Sequence, residues 1–385
     1  MGVLGEIFRA HGQAYRARFA DRMSLDQRRA MRDIEACHTS SAGRARWRCP
    51  RCGKRHFTFV GCGNRHCPAC GGTRAKQWLR KISALLLPDT VYHLVTFTVP
   101  QQLRRIIRSH PRELLELLMR VSADTVLDLT ANPKWLGGLP GATAVLHTWT
   151  RQGQYHPHVH FIVTGGGLDE LGQWREAHPR FLVPVWALSS VFRGRLRDAL
   201  RQQYPQLYAQ VDPKAWRLPS SDSLLESPRA WVVHSKPVGS GEHALAYLAR
   251  YVYRVALSER AILGRDPDGR YVVRYRRSGT NDPKTMRLKP HELIRRFLQH
   301  VLPSGFRKIR YFGLHHSSKR PALRLLQAMM SLRAGRPIPE PPPEDDTYVP
   351  TCPDCDTPMV FEERIPPLLQ LLFSAATGII RGPPA

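Results

Sequence analysis

The chain has 385 residues, with 58 Lys and Arg against 31 Asp and Glu, for a formal net charge of +27. An excess this large implies a polyanionic partner, nucleic acid above all, because the planar donor fork of arginine suits phosphate oxygens. The 42% hydrophobic fraction is ample for buried cores in about two or three domains, while no apolar run is long enough to span a bilayer and no signal-peptide pattern opens the chain, so a soluble cytoplasmic protein is expected.

Residues 1–36 read as a helical segment, with Ser24-Leu25-Asp26-Gln27 resembling a capping box ahead of a basic amphipathic stretch. Residues 37–88 read as a zinc-binding, DNA-contacting domain. Of the eight cysteines, six lie between Cys37 and Cys70, a density that fits a metal site in a reducing compartment better than a secreted disulfide framework. The pairs Cys49-x-x-Cys52 and Cys67-x-x-Cys70 have a spacing close to that of zinc ribbons, which makes these four the expected ligands of one Zn2+. Cys37, Cys62 and His66 lie close enough to complete a second site or to replace one of those ligands. Arg44, Arg46, Arg48, Arg51, Lys54, Arg55 and Arg65 are interleaved with Trp47 and Phe57, which suits DNA contact.

From Ala75 the pattern Trp78, Leu79, Ile82, Leu85, Leu86 predicts a helix stopped by Pro88. Val91–Val99 is β-branched and aromatic and predicts a strand, followed by a helix over roughly Pro111–Thr130. Ala144–Trp149 and His158–Val163 then read as two antiparallel strands joined by a polar turn. Residues 184–203 read as a helix, Ala230–His234 as a strand, and the turn Asp266-Pro267-Asp268-Gly269 before Tyr271–Tyr275 as a hairpin. Together these predict a mixed α+β nuclease-like domain over residues 89–320. A proline-rich linker over 336–350 and a tail over 351–385 follow. The tail carries Cys352-Pro353-Asp354-Cys355, half a zinc site whose other ligands could come from the N-terminal cluster, another subunit or nowhere.

The chemistry is concentrated in His158-Val159-His160 and in Ala246-Tyr247-Leu248-Ala249-Arg250-Tyr251. Residues two apart on a strand share a face roughly 6–7 Å apart, so both imidazoles can reach one ion. Val159 and Phe161 would turn the opposite face into a core. A third ligand should come from a neighbouring strand, with His147 best placed. His156 competes, but Pro157 forces an extended conformation there and three ligands along one strand straddle one ion poorly. Tyr247 and Tyr251 are four apart and share a helix face. Phenol titrates near pH 10, so an attacking phenolate needs nearby positive charge, which a metal ion, Arg250 and Arg254 could supply. Tyr253 lies off that face and reads as packing.

These residues resemble a family: the two-tyrosine HUH transposases of bacterial rolling-circle insertion sequences, with their N-terminal zinc-binding domain. The matching pieces are the Cys37–Cys70 cluster with Gly63-Asn64-Arg65-His66-Cys67-Pro68, the strand Leu94–Val99, and Tyr155-His156-Pro157-His158-Val159-His160. Lys236-Pro237, Tyr247-Leu248-Ala249-Arg250-Tyr251 and Arg307-Lys308-Ile309-Arg310-Tyr311-Phe312-Gly313 continue the match. The resemblance implies an HUH-type antiparallel sheet flanked by helices and a single-strand DNA endonuclease and strand transferase. It makes His158 and His160 ligands of Mg2+ or Mn2+, Tyr247 and Tyr251 nucleophiles, and single-stranded and hairpin element ends the partner. Host replication proteins are candidate partners, and a nucleoid-associated place in a bacterial cell follows. His147 is an extrapolation that the motif does not carry. A replication initiator or relaxase would use the same chemistry, but would more often carry a helicase domain or N-terminal tyrosines. A non-enzymatic zinc-dependent DNA-binding regulator would leave the histidines and tyrosines without a task.

Overall fold

The computed structural model describes residues 2–178, 180–216, 231–241, 243, 257–276, 282–335, 337 and 349–367. Tyr247, Tyr251, Tyr253, Arg250 and Arg254 lie outside the described residues, as does most of the 336–350 linker. The chain divides into two compact units, one of Met1–Lys76, Tyr253–Val301 and Pro343–Ala385, the other of Gln77–Val252 and Leu302–Pro342.

The second unit is built on a five-stranded antiparallel sheet. Its strands are β3 (Val91–Thr98), β4 (Gly141–Trp149), β5 (Tyr155–Thr164), β8 (Val233–Ser240) and β12 (Ile309–Gly313), in the order β12-β4-β5-β3-β8. A small hairpin of β6 (Gly166–Leu168) and β7 (Trp174–Glu176) follows β5. Side chains alternate across a strand, and here the residues of one parity enter a single core. Val95, Phe97, Ala144, Leu146, Val159, Phe161 and Val163 join one hydrophobic core with Leu115, Leu118 and Met119 of the helix Pro111–Ala131 and Leu188 and Phe192 of the helix Val185–Gln203. Phe97 meets Phe161 edge-on at 5.8 Å and Phe192 at 4.8 Å. Removing a ring from such a contact costs about 3–5 kcal/mol. The intervening positions of the same strands, Thr96, His147, His158 and His160, lie on the opposite face.

The helix expected over Ala75–Leu87 spans Gly71–Ser83 instead. Its end is set by partners that capture the backbone beyond it. The amide of Leu87 donates to the Tyr92 hydroxyl at 2.9 Å, and the Gln327 side-chain amide donates to the carbonyls of Ala84 and Leu86 at 3.2 and 2.7 Å. The strand expected at Ala230–His234 starts at Val233 and runs on to Ser240, which brings Lys236-Pro237 into the sheet.

In the first unit, Leu4, Ile7 and Phe8 of the helix Val3–Phe19 recur at helical spacing and pack with Met31 and Ile34 of the helix Leu25–Ala36. The Ser24–Gln27 capping box is formed in both directions, at 3.1 and 3.2 Å. Leu293, Ile294 and Phe297 of the helix Pro290–Leu298 enter the same core, with Phe297 edge-on to Phe8 at 5.4 Å. The expected hairpin is present as β9 (Ile262–Arg265), β10 (Tyr271–Arg276) and β11 (Pro283–Leu288), and Val273 and Leu288 also reach this core. An unbroken nuclease domain over 89–320 is therefore corrected: residues 257–301 complete the N-terminal unit, because their apolar side chains bury against Phe8 and its neighbours. A separate tail over 351–385 is corrected likewise. The strand β13 (Val360–Ile365) pairs with β1 (Arg44–Arg48), which pairs with β2 (Arg55–Phe59), giving a sheet of order β13-β1-β2.

Candidate functional site

His147, His158 and His160 present one nitrogen each within 4.8 Å of one another. The sheet register does this: His147 lies directly opposite His158 on the β4–β5 pair, and His160 is one pleat further along β5. The ring centroids are 5.4 Å apart for His147 and His158, 4.9 Å for His147 and His160, and 4.8 Å for His158 and His160. His156 shares the parity of His158 yet stays out of the cluster. Between the pairs His147–His158 and Trp149–Tyr155 the register slips, and Pro157, with no amide to donate, sits in the slip.

Two hydrogen bonds orient the rings. Nδ1 of His158 donates to the His156 carbonyl oxygen at 2.7 Å. A carbonyl only accepts, so this nitrogen carries the proton and Nε2 keeps its lone pair. Nδ1 of His160 lies 2.8 Å from the Thr96 hydroxyl on β3, a contact that holds the ring in place whichever of the two groups donates. Burial holds both imidazoles below their usual range, His158 at about 4 and His160 at about 3. Both are neutral at physiological pH, the form that binds metal. The positive guanidinium of Arg104, on the helix Gln101–Ser109, adds to the depression at His156 and His158. The donor set therefore fits a divalent cation, with imidazole alone favouring Mn2+ or Zn2+ and Mg2+ suited when phosphate and water oxygens complete the shell.

The cysteines form two tetrads rather than one. Cys37, Cys62, Cys67 and Cys70 group together, and so do Cys49, Cys52, Cys352 and Cys355. The expected set Cys49, Cys52, Cys67 and Cys70 is thus not assembled. Cys49 and Cys52 lie in the turn between β1 and β2, whereas Cys37 and Cys62 flank the open end of that hairpin, where His38 donates to the Val60 carbonyl at 3.1 Å. Five strand residues cover about 17 Å, too far for one ion to bridge. His66 is not in either tetrad: its amide donates to the Asn64 side chain at 2.9 Å, and its ring meets Arg65 at 3.4 Å. Arg65 is half-buried, and burial lowers its affinity for the proton.

In the first tetrad the sulfurs of Cys37 and Cys70, and of Cys37 and Cys67, are 3.6 Å apart, and those of Cys62 and Cys70 are 3.9 Å apart. Four thiolates around a zinc ion at about 2.3 Å have edges near 3.8 Å. The amides of Cys62 and Asn64 point at Cys37 and Cys62 sulfurs, each at 3.4 Å. The crowded thiols split in opposite directions, Cys37 pushed down by the S–H of Cys62 and Cys62 pushed up by Cys37. All four ionise together only with a cation among them.

Sequence reasoning missed Thr96 as a partner of His160 and left Cys352 and Cys355 without a definite one. A hydroxyl at an alternate position of the neighbouring strand was the available signal for the first.

Comparison with known proteins agrees with this architecture. Residues 141–322 match the family described as "Putative transposase" and residues 7–99 match the "Transposase zinc-binding domain". The chain is 37% identical to "Putative transposase y4qJ" of Sinorhizobium fredii over 318 residues, 80% of this chain and 79% of that one. It is 30% identical to "Transposase for insertion sequence element IS801" of Pseudomonas savastanoi pv. phaseolicola over 300 residues, 74% of this chain and 70% of that one. No solved structure matches. A helix-flanked antiparallel sheet carrying a histidine cluster, in a chain that also has a cysteine-rich zinc-binding domain, defines an HUH-type transposase. The chain belongs to the two-tyrosine family of insertion-sequence transposases that includes the IS801 transposase. No helix among the described residues is long and apolar enough to cross a membrane.

Proposed function

We propose that this transposase nicks single-stranded DNA at the ends of its element by tyrosine attack and passes the strand on in a rolling-circle process. The observation that carries this reading is the convergence of His147, His158 and His160 on one face of the sheet. Nε2 of His158 and His160, with His147, would hold Mg2+ or Mn2+, which when bound supplies Lewis acidity toward the scissile phosphate. The phenolate of Tyr247 or Tyr251 forms a bond to phosphorus, the bond to the 3′ oxygen breaks, and that oxygen takes up a proton. The products are a 5′-phosphotyrosine and a free 3′ hydroxyl. Because the ester conserves the phosphodiester energy, the second tyrosine or a hydroxyl can accept the strand without a nucleoside triphosphate. Arg250 and Arg254 lower the phenol pKa and hold phosphate, and Arg65 contacts DNA beside a zinc held by Cys37, Cys62, Cys67 and Cys70. The initiator and relaxase reading shares the reaction, and the regulator reading predicts no cleavage at all.

The test is cleavage of a labelled single-stranded or hairpin oligonucleotide with Mn2+ or Mg2+, read as a covalent protein–DNA adduct on a denaturing gel. The wild-type chain forms the adduct. Tyr247→Phe or Tyr251→Phe alone still nicks a simple oligonucleotide but blocks complete transposition, which needs two linked transfers. The double variant forms no adduct. An adduct persisting in the double variant would assign the chemistry to another nucleophile.

A further inference from the structure

The segments Cys49-Pro50-Arg51-Cys52-Gly53-Lys54 and Cys352-Pro353-Asp354-Cys355-Asp356-Thr357 lie some 300 residues apart and fold into the same turn. In the first, the Cys49 amide donates to the Lys54 carbonyl at 2.9 Å and the Gly53 amide to the Cys49 carbonyl at 3.0 Å. In the second, the Cys352 amide donates to the Thr357 carbonyl at 2.9 Å and the Asp356 amide to the Cys352 carbonyl at 2.9 Å. The fifth residue of each turn is left-handed, Gly53 with φ 73° and Asp356 with φ 57°, a conformation that glycine and aspartate tolerate better than most residues.

The two turns face each other. The sulfurs of Cys49 and Cys355 are 3.4 Å apart and those of Cys52 and Cys352 are 3.7 Å apart, and all four thiols are unbridged by disulfides. These edges match a tetrahedral tetrathiolate zinc site and no closer bonding. Cys49 and Cys352 are fully buried, and Met359, Trp47 and Cys355 pack around them. The strands leading to the turns are paired as β1 and β13, with Trp47 edge-on to Phe361 at 5.5 Å. Charge reinforces the junction: Glu362 meets Arg46 and Arg55 at 3.1 Å and Arg48 at 3.2 Å, while Asp354 meets Lys54 at 3.2 Å and His56 at 3.6 Å.

We infer that Cys49, Cys52, Cys352 and Cys355 bind a second zinc ion, which clasps the C-terminal strand to the N-terminal zinc-binding domain. This site lies partly outside residues 7–99, the span matched by the transposase zinc-binding domain. Soft thiolates in a tetrahedral set select Zn2+ over Mg2+ or Ca2+. The site carries no open position, so its role is structural and independent of strand cleavage.

Zinc content of the purified full-length chain tests this. The wild-type protein should hold two zinc ions per chain, and the doubles C49S/C52S and C352S/C355S one each. The quadruple variant should also hold one, since both pairs serve the same ion. A quadruple variant that lost both ions while each double lost one would overturn the shared site, as would a C352S/C355S double that kept two. Should any variant fail to fold, thiol alkylation of the wild-type chain decides. Cys352 and Cys355 should be protected with zinc bound and become reactive together with Cys49 and Cys52 on chelation. Equal reactivity of Cys352 and Cys355 before and after chelation would overturn the clasp. A wild-type chain that holds both zinc ions yet forms no DNA adduct would instead count against the proposed tyrosine chemistry and leave the clasp standing.

Discussion

The Thr96 hydroxyl and Nδ1 of His160 face each other at 2.8 Å across the β3–β5 pair, so a strand that contributes no imidazole to the cluster still sets the aim of one. Partners of this kind fix ring orientation and ligand basicity, and their loss costs about 10–100-fold in metal affinity. Thr96→Val should therefore raise the Mn2+ concentration giving half-maximal cleavage by about that factor, with cleavage at saturating metal near the wild-type rate. Thr96→Ser should restore the affinity. A metal titration of nicking reads both.

His158→Ala, His160→Ala and His147→Ala should each abolish metal-dependent cleavage while DNA binding is largely kept. His156→Ala is the control. Only its backbone carbonyl serves His158, and the register slip at Pro157 keeps its ring out of the cluster. Isothermal titration with Mn2+ should show weakened binding in the first three variants and near-wild-type binding in His156→Ala.

Acid should destabilise the sheet unit well before carboxylates protonate. Burial pushes His93 down to about 4 and His315 down to about 3, against an ordinary histidine value near 6.5. Between pH 6.5 and these values the unfolded chain binds more protons than the folded one. Stability is full above pH 6.5 and falls as pH drops through that window. At pH 5 each fully buried group contributes up to about 2 kcal/mol of that loss. The thermal midpoint should be lower at pH 5.0 than at 7.5, and His315→Gln should reduce the difference; an identical shift in wild type and variant would remove His315 as a cause.

Binding to single-stranded or hairpin DNA should weaken steeply with salt. With about 6–10 phosphate contacts, affinity drops about 10³–10⁵-fold between 50 and 200 mM salt for duplex, and somewhat less for single strands. Fluorescence anisotropy at several salt concentrations gives the slope. A flat response, or preference for unstructured duplex, would contradict a phosphate-led interface.

What the sequence made legible was local. The Ser24–Gln27 box, the strand at Val91 and the long helix from Pro111 depend on neighbours within a few residues, and each formed close to its expected bounds. The alternation of Val159 and Phe161 with the histidines likewise determined which face became core. Cysteine pairing was a different problem. Cys49, Cys67 and Cys352 each open a Cys-Pro-x-Cys turn, so spacing alone could not choose between them, and proximity in sequence joined the wrong two. The β1–β2 hairpin decides by holding Cys49 and Cys52 at one end and Cys62 at the other. The return of residues 257–301 to the N-terminal core was equally hidden, since the apolar faces of Phe8 and Phe297 match only once both helices exist.

The facing of Cys49 and Cys352 has a temporal side. A ribosome adding about 5–20 residues per second needs roughly 15–60 s to travel from the first turn to the second. Throughout that interval Cys49 and Cys52 are an open dithiol on a nascent chain, while the whole sheet unit is synthesised between the two turns. A message interrupted between His160 and Cys352 would yield every histidine of the cluster but never a complete second tetrad.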